Sequence, residues 1–460
     1  MKTAPPPHVE LELRDVPASD AGETIRRGRR LISSKVGLIR KIAETRWQAQ
    51  DPAVFAAGVL PADVARYPSD GLPLKAGGAG DDAVTALASA IGEAAERYCA
   101  YFYDRDAMVV GSYRELAEDA VSPDLLRLFS RQQIASFGAH GPDYFDDGSR
   151  ISWMWGYSLS ERRPRLVPAS LVYLNYRPEE GEAKIGFNAS TGLAAGGTRE
   201  EAILGGLLEI IERDAFTLAW QHRQIGRRIE VDDDGVQREL RTRLWADRPS
   251  VDVKIFDITT DVGVPVTFLV MRRQCEFGPV ACVGTAARVS PRQALRKSML
   301  EAAQAFPYFR YLMDSEKDWQ PAADFSNLTT FDYHFLTYLK RPDLIPPAFA
   351  FCDACEERVA LSAIADRSSG RVLADLEHCL ACLRDAGYEV IVTDITTPDI
   401  AEVGFVAVRV MVPGLVPLHG DHRTPFLGAR RLFEAPSRLG WERRGWRRDG
   451  GLNPFPHPFP

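Results

Sequence analysis

The stretch Thr198-Arg-Glu-Glu-Ala-Ile-Leu-Gly-Gly-Leu-Leu-Glu-Ile-Ile-Glu-Arg-Asp214 constrains the fold more than any other part of the chain. Thr198 can cap a first helical turn, and Glu201 three residues later completes a capping box. Ile203, Leu204, Leu207, Leu208, Ile210, Ile211 and Ala215 recur at helical spacing, so a wide apolar face must be buried. Glu201, Glu209 and Glu212 fall on one flank of that helix. Like charges on one flank repel unless a cation lies between them, which points to a divalent metal.

The design recurs. Thr85 and Ala86 are followed by Glu93, Glu96 and Arg97, just as Glu201 and Ala202 are followed by Glu209, Glu212 and Arg213. Gln293 and Ala294 are followed by Glu301 and Gln304, behind a Ser290 cap and a Pro291 at the first helical position. The intervals are too long and irregular for a solenoid. One glutamate-rich flank would read as solvated surface. Two copies of Glu-x-x-Glu-Arg, each with its own apolar stripe, predict helices converging on one site.

A chain of 460 residues can bury a substantial core and could hold two or three domains. A net charge of −7 gives no basic footprint for nucleic acid. No apolar run approaches the ~20 residues of a membrane span, and the polar, proline-rich start has no signal-peptide core, so a cytoplasmic protein is expected. Seven cysteines do not suit a disulfide framework. Cys352-x-x-Cys355 and Cys379-x-x-Cys382 have the outline of a zinc site. The second pair lies in an expected helix over 372–386, where cysteine is also a small buried hydrophobe, so zinc is one of two readings.

Residues 1–30 read as a flexible lead-in, 31–420 as the main domain, and 421–460 as a C-terminal segment. Glycine-rich stretches at 71–80 and 184–197 read as loops entering two of the acidic helices, where backbone N–H groups could cradle phosphate. Strands are expected within 157–176, 251–270, 280–287, 388–394 and 405–412. They interleave with helices without a βαβ rhythm, which argues for an α+β architecture with mixed sheets. The terminus Asn453-Pro-Phe-Pro-His-Pro-Phe-Pro460 is stiff and extended. It reads as a loose tail, as a ligand for a proline-recognising domain, or as a segment threaded into a pocket.

Ser89-Ala-Ile-Gly-Glu-Ala-Ala-Glu-Arg97, Ser190-Thr-Gly-Leu-Ala-Ala-Gly196 with the following glutamates, Leu300-Glu-Ala-Ala-Gln304, Asp394-Ile-Thr-Thr-Pro398, Val412-Pro-Gly-Leu-Val-Pro-Leu418 and Pro456-His-Pro-Phe-Pro460 occur in this order. Together they resemble the YcaO superfamily, and within it the SagD-like azoline-forming cyclodehydratases. The resemblance covers residues 31 to 460.

It implies the YcaO fold and ATP-dependent chemistry on a peptide backbone. A Cys, Ser or Thr of a ribosomal precursor peptide attacks the preceding amide, ATP phosphorylates the oxyanion, and loss of phosphate leaves a thiazoline or oxazoline. By similarity, Ser89, Glu93, Glu96, Arg97, Glu201, Glu209, Glu212, Arg213, Glu301 and Gln304 belong to an ATP–Mg²⁺ site, with Glu93, Glu96, Glu209 and Glu212 on the metal. Many relatives have Gly-Lys-Gly where this chain has Gly78-Ala-Gly80, so Lys75 or Lys35 would have to stand in. The Pro460 carboxylate becomes a candidate for positioning or proton transfer. The resemblance further implies a separate leader-binding, ubiquitin-activating-like partner, an azoline dehydrogenase downstream, and pairing as a homodimer. A YcaO enzyme making a thioamide or amidine ring, or a non-catalytic peptide-binding scaffold, are the competing readings.

Overall fold

The strand that precedes each glutamate helix decides where that helix lies. The structure, a computed structural model, describes residues 9–44, 48, 51–62, 76–138, 141–186, 189–276, 278–444, 446 and 450–459. The segment expected to be a flexible lead-in carries a helix within its described residues. Asp20 caps helix α1 (Ala21–Gly28) by accepting from the Glu23 N–H. Strands β1 (Ile39–Glu44), β2 (Phe55–Pro61) and β3 (Ala76–Gly80) form an antiparallel sheet, and α2 (Ala83–Cys99) packs on it behind an Asp82 cap.

The second sheet contains β4 (Val109–Gly111), β5 (Ile151–Ser158), β6 (Arg163–Pro168), β7 (Leu193–Gly196), β13 (Ile391–Asp394) and β14 (Val406–Met411). Its order is β4-β5-β13-β14-β7, with β6 paired to β5. The third runs β11-β10-β9-β8-β12, from β8 (Arg227–Glu230), β9 (Val251–Asp257), β10 (Val266–Cys275), β11 (Gly278–Ala287) and β12 (Arg358–Ala360). Helix α3 (Arg199–His222) lies between these two sheets, against β7 and β14 on one side and β10 and β11 on the other. That position buries Ile203, Leu207, Phe216 and Trp220 alike and explains its broad apolar face. Helix α4 (Pro291–Ser315) covers β10 and β11. Helices α5 (Phe331–Lys340), α6 (Val372–Asp385) and α7 (Arg430–Arg438) complete the scaffold used below. The result is the expected α+β architecture with mixed sheets.

Two glycine-rich stretches are not loops at their helix-proximal ends. Residues 76–80 are β3 and residues 193–196 are β7, both paired antiparallel; Gly71 to Lys75 lie outside the described residues. Glycine serves close strand-to-helix approach instead. A Cβ on Gly78 would stand 2.3 Å from both the Ala86 carbonyl oxygen and the Ala90 nitrogen of α2. On β11 the same arrangement recurs, where a Cβ on Gly284 would stand 2.0 Å from the Ser298 carbonyl of α4. These are backbone atoms, which cannot swing aside. Gly78→Ala should therefore lower stability by about 3 kcal/mol, the upper range for overpacking. At Gly92 in α2 an added Cβ meets nothing within 4 Å. Gly92→Ala should raise stability by up to ~1 kcal/mol, the helix-propensity difference. Chemical unfolding of both variants checks the contrast.

The C-terminal segment is not separate from the body. Arg431 of α7 is buried against Asp214 of α3, and Phe459 belongs to the core around Phe216 and Trp220. Ser290, expected to cap α4, instead donates its hydroxyl to Asp366 at 2.7 Å, leaving Pro291 to start the helix.

Candidate active site

Helices α2 and α3 present the same five-residue unit in the same way. On α2, Glu93 accepts the Gly77 N–H at 2.9 Å, and Arg97 lies 3.3 Å from Glu93 and 3.5 Å from Glu96. On α3, Glu209 accepts the Gly192 N–H at 2.9 Å, and Arg213 lies 3.8 Å from Glu209 and 3.5 Å from Glu212. In each unit the first glutamate is tied to backbone near the preceding strand, the second is the more buried, and the arginine faces both.

The two units face each other. Burial pushes the Glu96 carboxyl up to about 8, against the pull of Arg97, with Glu93 and Glu209 adding repulsion. Burial likewise pushes Glu212 up to about 7, opposed by Arg213 and by the Thr285 hydroxyl, which donates to it at 2.8 Å. Glu301 of α4 adds repulsion at Glu212 and attraction at Arg213. Gln304, one turn further along α4, is half-buried. Arg409 of β14 completes the cluster. Burial pulls its guanidinium down to about 10, although Glu209 and Glu96 favour the charged form. Arg409 donates to the Leu171 and Ala189 carbonyls, both at 2.7 Å.

Glu201 is not brought there. It lies two turns before Glu209, about 12 Å along the axis at ~1.5 Å per residue. Its carboxylate completes the Thr198 capping box and accepts the Ser19 N–H at 2.6 Å. Sharing a flank with Glu209 did not bring the two to one place. Ser89 is exposed on α2, and Lys35 is exposed on the turn before β1. Pro460 and Lys75 lie outside the described residues.

Among the described residues no three His, Cys, Asp or Glu side chains are grouped to hold a metal by themselves. The zinc reading of Cys352, Cys355, Cys379 and Cys382 is thereby corrected. Cys352 and Cys379 are core residues, whereas Cys355 donates to backbone carbonyls and Cys382 lies against His378. Burial pushes the Cys379 thiol up to about 12, as for a small buried core residue. Magnesium makes a different demand. It keeps several waters and takes only one or two carboxylates together with substrate phosphates. The all-oxygen acids of α2 and α3 fit that demand. So does Arg409: its Nη1 is buried with no hydrogen-bond partner, and a phosphate oxygen would satisfy it, whereas Arg97 Nε and Arg213 Nη1 face Glu96 and Glu212 at 3.5 Å.

The proline-rich terminus reaches this cluster. Asn453 bonds the Gln221 and Trp220 carbonyls at 2.7 and 3.1 Å, and the Phe455 carbonyl accepts from Trp220 Nε1 at 3.1 Å. The Pro456 carbonyl accepts from the Tyr338 hydroxyl at 2.5 Å. Phe459 then meets Phe216 at 5.0 Å and lies 4.3 Å beneath the Arg213 guanidinium. The tail thus climbs α3 from Gln221 to Arg213. Sequence reading missed Thr285, Arg409 and Phe459. Arg409 had a signal, as the lone charge in the β-branched run Phe405-Val-Ala-Val-Arg-Val-Met-Val412.

Residues 77–416 match the family model described as YcaO cyclodehydratase, ATP- and Mg²⁺-binding. An uncharacterised protein of Methanothermobacter thermautotrophicus is 29% identical over 342 residues, covering 74% of this chain and 80% of its own. A heterocyclase solved in complex with substrate and cofactor shares the fold at a TM-score of 0.77 and 24% identity, over 98% of this chain. This chain spans 59% of that heterocyclase's length. The YcaO protein of Methanopyrus kandleri, solved with AMPPCP and Mg²⁺, shares it at a TM-score of 0.61 and 23% identity, covering 89% of this chain and 94% of its own.

Proposed function

The chain belongs to the YcaO family, and from that premise we propose that it is the ATP-dependent cyclodehydratase subunit of a SagD-like, azoline-forming system. The observation that carries this reading is the pair of Glu-x-x-Glu-Arg units facing each other beside Arg409 and Glu301. An amide oxygen is a poor leaving group and must be converted to phosphate before a ring can close. A triphosphate next to buried carboxylates is electrostatically unfavourable without a divalent cation between them.

Glu93, Glu96, Glu209 and Glu212 would supply the carboxylates for Mg²⁺, one or two to any one ion, and Arg97, Arg213 and Arg409 would take phosphate oxygens. Ser89, Glu301 and Gln304 would line the same nucleotide site. Magnesium-bound ATP supplies the phosphoryl group that captures the amide oxygen. The nucleophile is the substrate's own Cys, Ser or Thr, so no catalytic triad is required. Residues 31–420 would form the catalytic body, with 421–460 folded back over it and the Pro460 carboxylate positioning the reacting amide or taking its proton. A separate leader-binding, ubiquitin-activating-like partner would deliver the precursor peptide, and an azoline dehydrogenase could act afterwards. Pairing as a homodimer is part of the same proposal.

The test is the product. The chain is incubated with Mg²⁺-ATP, a leader-binding partner protein and a Cys/Ser/Thr-rich precursor peptide. Each modification should remove one water, and fragmentation should place the loss between a Cys, Ser or Thr and the residue before it. Replacement of oxygen by sulfur would assign a thioamide instead, and a fragment pattern showing a macrocycle would assign an amidine. An unmodified peptide would leave a binding scaffold.

A further inference from the structure

Half of the chain's eight histidines meet in one place outside the acidic cluster. His334 of α5 stacks on His457 of the tail at 4.0 Å between ring centroids. His419 lies 5.3 Å from His457 and 5.8 Å from His334, and His422 lies 5.5 Å from His334. His334 is 0% exposed, His457 1% and His419 3%.

The hydrogen bonds fix the charge state. His457 Nε2 faces the His419 carbonyl at 2.7 Å, which can only accept, so Nε2 carries a proton. His457 Nδ1 faces the Phe459 N–H at 3.3 Å, which can only donate, so Nδ1 must be bare. His457 is therefore neutral in the seated tail. A proton on Nδ1 would remove the acceptor of the Phe459 N–H, the amide of the residue beneath Arg213. Both ring nitrogens of the stacked His334 are buried and make no hydrogen bond; the His457 backbone favours a charge there, but burial outweighs it.

The surroundings compensate only in part: the Pro454 backbone favours a charged His422, but burial outweighs it. Arg213 of α3 opposes a positive His457. Asp421 is the carboxylate beside His419 and His422, and Arg423 already engages it through Nε at 2.9 Å and Nη2 at 2.5 Å. On α5, Asp332 is taken by the Tyr308 hydroxyl and Tyr338 by the Pro456 carbonyl.

We propose that His334, His419 and His422 are positioning residues that seat His457, and with it Phe459 against Arg213, only while the four imidazoles are neutral, so that acidification releases the tail. What this does to catalysis rests on the reading of the preceding section; the seat itself does not. Burial holds His457 and His334 well below the ordinary imidazole range, holds His419 at about 3, and lowers His422. A released tail returns these groups toward their ordinary pKa near ~6.5. The released form binds more protons, so the seat is stable above that pH and is lost as pH falls below it.

The experiment places 4-fluorophenylalanine at position 459 of the full chain and follows its ¹⁹F resonance from pH 8 downward. A single buried resonance is expected at pH 8. Below pH 6.5 a solvent-exposed resonance should replace it, with uptake of more than one proton, while far-UV circular dichroism stays unchanged. His334→Phe keeps the stacked ring and removes a titrating group, so the midpoint should move to lower pH and the transition should flatten. His422→Gln, on the half-exposed rim, should move it the same way and serves if the first variant fails to fold. A resonance that stays buried until the whole chain unfolds overturns the proposal. So does a midpoint that neither variant moves. The signal does not depend on turnover. A tail that releases in a chain with no cyclodehydratase activity keeps the seat and discards the enzyme reading; an active chain whose tail never releases does the reverse.

Discussion

Glu212→Gln should reduce ATP turnover by on the order of 10²–10³-fold, the loss typical of removing one electrostatic element from a preorganised site, while the fold stands. Two observations and one general argument lead to that result. Glu212 is buried and receives the Thr285 hydroxyl, which a glutamine oxygen can accept equally well, so the local packing survives. Burial pushes its carboxyl up to about 7, so the fold itself gains little from the charge and loses little when it is removed. Only a bound cation makes the charge useful, because a divalent ion must displace the proton to gain a ligand. The same substitution at Glu209, which accepts the Gly192 N–H, should act in the same direction. The measurement is phosphate release at saturating Mg²⁺-ATP beside the unfolding midpoint of each variant. Native turnover in both would remove the α2–α3 cluster from the chemistry. A lost fold in both would show that the acids serve structure first.

Asp214→Ala should be the most damaging single change to stability, costing about 3–5 kcal/mol, the range for stripping one partner from a buried ion pair. Asp214 directly follows Arg213 and points to the opposite duty. It is fully buried, accepts Arg431 Nε at 2.8 Å, and also accepts the Val416 N–H at 3.0 Å. Arg431 continues to Asp261 at 2.6 Å and to the Tyr388 hydroxyl at 2.6 Å. Burial alone would lower the Arg431 pKa, but Asp214 and Asp261 raise it well above its ordinary value, so the guanidinium stays charged wherever it is left. Removing Asp214 leaves the Val416 amide without its acceptor and the Arg431 charge with Asp261 as its one remaining carboxylate. Asp214→Leu combined with Arg431→Met should cost less than Asp214→Ala, because it removes the buried guanidinium along with its partner and leaves only Asp261, whose side chain is 22% exposed and can reach water. Equilibrium unfolding of the single and double variants measures the coupling, and additive effects would deny it. The network ties the C-terminal segment to the same helix that carries Glu209 and Glu212, so its loss should loosen the tail as well.

Different signals make different parts of the molecule legible in its sequence. The three helices were readable because capping, proline position and apolar spacing are local properties of consecutive residues. Thr198 with Glu201 is a case where the expected capping box is present, and it also explains why Glu201 is absent from the site. The glycine-rich stretches were misjudged at residues 76–80 and 193–196 because glycine composition does not distinguish a loop from a strand pressed on a helix. The cysteine pairs matched a metal outline in spacing, yet spacing carries no information about whether four thiols share a centre. Thr285 and the histidine cluster offered no pattern, since their partners come from distant parts of the chain. The tail's route was only one of three readings, and the contacts with Trp220, Tyr338 and Arg213 selected it.

By itself the sequence determined which residues are helical and where around each axis their acids lie, since a period of 3.6 residues is a property of one helix alone. It also carried enough ordered motifs to indicate the family. The tertiary structure decided which acids meet, which are spent on caps, how far burial raises Glu96 and Glu212, and where the terminus docks. Helical periodicity sets an angle about an axis but says nothing about the distance between axes. That distance depends on how closely backbones approach, as at Gly78 and Gly284, and on the sheets between which the helices are packed.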